Sequence, residues 1–279
     1  MSIKIASNSG RMAAAGASAT LLERLTPQEK LLLGVPLLGG LVFGLLPLLA
    51  PALLARLAGA AGNDPFIYRL AGAATLGYAV ALILALRQGA WLPVRIVVIA
   101  TLAFNIGSLY AIALAILDGS ANWLVYAILL ASISITGITA SLLQRHRAVA
   151  QPAPDVAPWL VALVWFLAIV ATLVGALGLF VPTTVAHLFG YAGTDTFLYR
   201  QGGAATLGYG VMGFFQLRSR SWSQWRLPSV MALVFNGLSF ILAVLAIAGG
   251  GTSLLPFIIG GAALVATIGS FMALQRQGH

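Results

Sequence analysis

The sequence predicts an all-α, polytopic transmembrane helix bundle of eight spans, arranged as two parallel four-helix repeats. Three observations lead there: the composition, the length of the apolar runs and an internal repeat. Of 279 residues, 60% are hydrophobic and only 8% charged. A water-soluble fold of this size cannot hide that much apolar surface, so hydrocarbon is the expected solvent. Apolar runs fall at 28–50, 67–87, 93–117, 121–144, 159–181, 197–217, 227–248 and 253–275, each close to the ~20 residues that carry a helix across a bilayer. Finally, Gly62–Tyr78 (GNDPFIYRLAGAATLGY) returns as Gly193–Tyr209 (GTDTFLYRQGGAATLGY), 131 residues later. Pro51 and Pro182, Phe104-Asn105 and Phe235-Asn236, and Leu143-Gln144-Arg145 and Leu274-Gln275-Arg276 keep the same offset. An even number of crossings per copy gives both copies one orientation, unlike the inverted duplication of many transporters.

The elements follow in order. Residues 1–26 form a cytosolic N-terminal tail, with no continuous apolar core before Glu23–Lys30, so no cleavable signal peptide is expected there. Repeat 1 covers 27–145. It opens on Thr26-Pro27-Gln28-Glu29, a capping box with proline at the first helical position. Pro36 and Pro47 predict a bent first span, while the matched positions in the fifth are Leu167 and Gly178. Asp64-Pro65 places an N-cap on the second span and Asp195-Thr196 one on the sixth, each carboxylate facing the positive end of a helix dipole. A cytosolic linker, 146–158, carries Pro152, Pro154 and Pro158 and leads into repeat 2, 159–279. Trp91, Trp123, Trp159, Trp222 and Trp225 fall near span ends, as an interfacial belt requires. The loop from Arg218 to Arg226, with three arginines and two tryptophans, suits anionic headgroups.

Basic residues set the orientation. Lys4, Arg11, Arg24, Lys30, Arg87, Arg95, Arg145, Arg147, Arg218, Arg220, Arg226 and Arg276 lie on the face shared with the termini, against Arg56, Arg69 and Arg200 on the other. The positive-inside rule then puts both termini in the cytosol. The arginine-heavy set fits a bacterial inner membrane. The net charge of +9 is spread between apolar spans rather than over a soluble domain, so membrane lipids are the expected partners and nucleic acid is not.

Arg69 and Arg200 each stand five residues beyond a cap aspartate, about 7 Å down the helix. An arginine at that depth snorkels, pairs or meets an anion. Two roles are open: a paired site for a lipid headgroup or small anion, or a structural ion pair with Asp64 or Asp195. Gly72, Ala73 and Gly77, with Gly203, Ala204 and Gly208, supply small residues at helical spacing for close helix packing. Asn105 and Asn236 are an intramembrane polar pair, each followed one turn later by Ser108 or Ser239. They either close a hydrogen bond between the repeats or line a polar path.

Several chemistries are not expected. The chain has no cysteine, and His146, His187 and His279 all sit near span ends, so no haem, iron–sulfur or metal ligand set is evident. No carboxylate lies centrally in a span, and no phosphate-binding loop or nucleophile elbow appears. Catalysis is not expected, and bound lipid, quinone or pigment stays open as a cofactor.

At Tyr-Arg-x-x-Gly-Ala-Ala-Thr-Leu-Gly-Tyr, each half resembles the small four-helix bacterial membrane proteins of the DoxX-like families. Arg69, Gly72, Ala73, Leu76 and Gly77, and Arg200, Gly203, Ala204, Leu207 and Gly208, carry the match. The resemblance implies a four-helix bundle per half and transfers no catalytic residue. The expected function is non-enzymatic: an accessory or scaffold subunit packing against other membrane proteins in a larger, energy-transducing complex. The alternatives are a carrier or channel for a small anionic or lipid-like molecule, and a quinone- or pigment-binding subunit.

Overall fold

Helices build the whole described part of the chain, which in this computed structural model comprises residues 24–147, 152–250 and 253–276. Most of the expected N-terminal tail (1–23), part of the linker (148–151), Lys4, Arg11 and His279 lie outside the described residues. The helices are α1 Pro27–Leu49, α2 Pro51–Ala58, α3 Pro65–Gln88, α4 Trp91–Leu117, α5 Trp123–Arg145, α6 Pro158–Phe180, α7 Pro182–Leu188, α8 Thr196–Ser219, α9 Trp222–Ala248 and α10 Leu255–Arg276.

Seven of them, α1, α3, α4, α5, α6, α9 and α10, are long and apolar enough to cross a membrane, which marks an integral membrane protein. The eighth long helix, α8, falls outside that set. It carries Arg200, Gln201, Gln216 and Arg218 and five glycines within 24 residues. A helix enclosed by protein does not need the apolar outer surface that lipid demands, and α8 is packed along α6 on one side and α4 on the other.

Local chemistry places the helix ends. At α1 the Thr26 N–H donates to Glu29 Oε2 at 2.9 Å and the Glu29 N–H to Thr26 Oγ1 at 3.2 Å, closing the capping box. Glu29 is itself buried, and its other oxygen takes Arg145 Nη1 at 3.2 Å and His146 Nε2 at 3.0 Å, which ties the start of α1 to the end of α5. α1 runs unbroken through Pro36 and Pro47. Pro51 and Pro182 start the short helices α2 and α7, two elements that the hydropathy of the chain does not separate from the long spans.

Two expectations at the helix ends need correction. Residues 222–226 belong to α9, so the basic-aromatic stretch is a helix end, a tight turn and a helix start rather than an open loop. Trp91 and Trp225 are not interfacial: both are 0% exposed. Trp91 stacks on His146 with centroids 4.3 Å apart, and Trp225 Nε1 donates to the Gln216 carbonyl at 2.7 Å. Trp123 and Trp159 do keep exposed rings.

The two halves interlock. α4 runs along α8 far more extensively than along its own neighbour α3, and α9 runs along α3 far more than along α8. α3, α4, α8 and α9 therefore make one central body, with α1 and α5 outside it in the first half and α6 and α10 in the second. Around the central helices, positions 131 apart make matching contacts. A Cβ on Gly72 would meet Gly44 O and Leu48 N, and one on Gly203 would meet Gly175 O and Leu179 N. Gly77 lies against Tyr209 Oη and Met231 O, and Gly208 against Tyr78 Oη and Ala100 O. Ala73 and Ala204, both 0% exposed, complete the close faces; Ala204 abuts Gly107. Each tyrosine then donates across the centre: Tyr78 Oη to Ala205 O and Tyr209 Oη to Ala74 O, both 2.8 Å, with the rings edge to face at 5.1 Å.

Gly208→Ala drives a methyl into the Tyr78 hydroxyl with Ala100 O close behind, so neither neighbour can yield without losing a hydrogen bond. The expected outcome is a loss of about 2–4 kcal/mol, read as a lower thermal midpoint of the detergent-solubilised protein. Gly137→Ala, at a position with nothing within 4 Å of an added Cβ, should leave the midpoint unchanged.

Candidate functional site

Asp64 and Asp195 sit at the N-cap positions of α3 and α8, yet neither side chain caps its own helix. Each reaches across to the opposite half. Asp64 accepts the Ala192 and Gly193 N–H groups at 3.0 Å each and the Tyr199 hydroxyl at 2.8 Å. Asp195 accepts the Ala61 and Gly62 N–H groups at 2.9 and 2.8 Å and the Tyr68 hydroxyl at 2.8 Å. Gly62 and Gly193 adopt φ of 68° and 65°, the left-handed conformation that turns these N–H groups toward the carboxylate and that glycine takes without strain. The expected capping role is thus replaced by an exchanged pair of carboxylate clamps. They also put Asp64 and Asp195 at the same end of the molecule.

The clamps leave no carboxylate for the arginines. Among the described residues no ion pair joins Arg69 or Arg200 to Asp64 or Asp195. Both arginines are half-buried near that end, and Arg200 Nε has no hydrogen-bond partner. Asp118, after the end of α4, is held below the usual carboxylate range by the Ser120 hydroxyl and N–H, with the Arg200 charge adding to the effect.

Nor do Asn105 and Asn236 meet. Each donates to the carbonyl one turn back on its own helix, Thr101 at 2.8 Å and Ala232 at 2.9 Å. They belong instead to two separate cavities. The smaller, about 90 Å³, lies among α1, α3, α4 and α5 and is lined by Thr75, Tyr78, Phe104, Asn105 and Ser108, with Phe197, Leu198 and Gln201 reaching in from α8. The larger, about 220 Å³, lies among α6, α8, α9 and α10 and is lined by Thr206, Tyr209, Phe235, Asn236 and Ser239, with Ile67, Leu70 and Ala71 reaching in from α3. Nearly every wall position of the smaller cavity has its counterpart 131 residues away in the larger, which has further walls of its own. Ala71 lines both, facing Gly202, its own counterpart, so the partition between the cavities lies where α3 crosses α8.

The walls are apolar with a few polar groups, the constitution of a binding site for a lipid-soluble molecule. Among the described residues no three His, Asp or Glu side chains stand close enough together to hold a metal ion. Tyr68, Tyr199, Tyr78 and Tyr209 were not singled out as functional residues in the sequence. Their identity in both copies of the repeated motif is the signal that marks them. Comparison with protein-family models, curated proteins and solved structures gave no match to this chain.

The clamps differ in solvation: Asp64 is 2% exposed, whereas Asp195 is half-buried. Asp64→Ala strands the Gly193 N–H and the Tyr199 phenol away from water, while the N–H of the exposed Ala192 can turn to solvent, so it should cost about 2–4 kcal/mol, and Asp195→Ala about half as much. Paired unfolding measurements in one detergent check the order.

Proposed function

We propose that the chain is a non-enzymatic integral membrane protein of eight crossings, built as a parallel duplication of four, that holds a lipid-soluble guest between its helices. The larger cavity, about 220 Å³ and walled by apolar side chains, carries this reading. Eight crossings are supported by α8 lying beside α3 in the same direction: Tyr199 reaches Asp64, Gly202 faces Ala71 and Ala205 takes the Tyr78 hydroxyl. The matched contacts at an offset of 131 support the duplication, which divides the chain at the linker 146–158. Basic residues at the end away from the carboxylate clamps support cytosolic termini in a bacterial inner membrane.

An accessory role beside other membrane proteins is favoured by one outer face. On α5, Ser134, Gly137 and Ser141 are exposed about one turn apart, a notch into which a foreign helix can pack closely. The carrier role is supported by Arg200, whose Nε has no partner near the clamp end.

Topology is directly testable because the chain has no cysteine background. Single cysteines at the exposed positions Asn63 and Thr194 should both label from outside cells with an impermeant thiol reagent, and one at Ser223 only from inside. Labelling of Asn63 and Thr194 from opposite sides would remove the parallel duplication.

For the guest, protein is purified in native-membrane nanodiscs and its organic extract compared with that of the surrounding membrane. One lipid-soluble species should be enriched, and its enrichment reduced in Ala263→Leu, which adds three carbons to the wall of the larger cavity and narrows it. Extracts that match bulk membrane in both cases overturn guest binding. Proteins that co-purify stoichiometrically with the same discs report the accessory role.

A further inference from the structure

The two cavities share a plan, and one of the differences between their walls falls beside a buried hydroxyl. In the smaller cavity the Ser108 hydroxyl is 3.0 Å from the Ser132 hydroxyl, so each is satisfied within the protein. The counterpart of Ser108 is Ser239, equally buried at 1% exposure and lining the larger cavity. The counterpart of Ser132, however, is Ala263, and the Ser239 hydroxyl has no hydrogen-bond partner among the described residues. Several helical hydroxyls in this chain return to a carbonyl one turn back, as Thr101, Ser134, Thr139, Thr206 and Thr267 do, although Thr136, which lines neither cavity, does not. Nor does Ser239. A hydroxyl held away from water without a partner is unfavourable unless something arrives to accept its proton.

Size limits what can arrive. An apolar cavity of about 150 Å³ accommodates one benzene ring. The larger cavity, about 220 Å³ and partly open, therefore has room for a ring whose substituent can extend outward, whereas the smaller one, about 90 Å³, holds less than one ring needs. Asn236 already spends one amide hydrogen on Ala232, and Gln216, Ser229 and Ser270 line the same cavity, so substitution of Ser239 alone is what separates its contribution from theirs.

We infer that the larger cavity binds a lipid-soluble single-ring compound bearing a carbonyl-type oxygen, which accepts a hydrogen bond from Ser239 Oγ. This rests on the guest-binding reading and assigns the chemistry of the guest. Acetophenone and α-methylstyrene are matched probes, differing by C=O against C=CH₂. Their affinities are measured in lipid nanodiscs, with empty discs correcting for partitioning, for the unmodified protein, Ser239→Ala and Ala263→Ser. The last variant returns to Ser239 the hydroxyl partner that Ser108 has.

The unmodified protein should prefer acetophenone by about three- to tenfold, the range one net hydrogen bond supplies. Both variants should bind the two probes alike, with α-methylstyrene affinity unchanged. If both probes bind the unmodified protein equally, or if Ser239→Ala keeps the preference, the assignment to Ser239 is overturned while guest binding stands. If neither probe binds above empty discs, guest binding itself fails, and this inference with it. Thermal midpoints of the variants within a degree or two of the parent exclude misfolding as the cause.

Discussion

Everything in this molecule hangs on how closely α3 and α8 approach each other and their neighbours. Without a hydrophobic force between helices in lipid, association depends on packing and on hydrogen bonds made inside the protein. Gly77 and Gly208 remove the side chains that would keep the backbones apart, and Tyr209 and Tyr78 occupy the space so released. Each phenol finds a carbonyl on the other helix, so neither buried hydroxyl is left without a partner. Glycine and tyrosine are therefore one device, repeated twice and crossed.

The crossing has a consequence for the whole architecture. Because α4 packs along α8 and α9 along α3, neither half could keep its inner surfaces covered if the other were removed. The carboxylate clamps extend the exchange to the loops: each aspartate holds the turn that precedes the opposite helix. A carboxylate accepting two backbone N–H groups and a phenol is better satisfied than one capping a single helix end. The arginines Arg69 and Arg200 are thereby excluded from the pairing that their spacing from the aspartates invites.

The same interlock creates the cavities. Where α3 and α8 meet closely at Ala71 and Gly202 they part the space into two, and the outer helices close over each part without filling it. Two related cavities can then drift separately, as Ser132 against Ala263 and Leu82 against Gly213 show. In the proposed duplication this freedom is what a symmetric dimer of single modules would lack.

The sequence by itself determined the helical class, seven helices long and apolar enough to cross a membrane, the capping box at Thr26 and the small residues at helical spacing. These depend on apolar run length, local spacing and side-chain size, which are written in consecutive residues. It did not reveal the short helices α2 and α7, because the apolar run continues through them. Nor did it foretell that Trp91 and Trp225 are buried, since a tryptophan near a span end reads alike whether it faces headgroups or a neighbouring helix. Only the tertiary structure decided where the polar side chains go. Asp64 and Asp195 have a local helix end to cap, yet their partners lie more than a hundred positions away, whereas Asn105 and Asn236, which could have met each other, turn to carbonyls on their own helices. Whether Ser239 has a partner likewise depends on α10, through Ala263, and no local pattern in α9 records it.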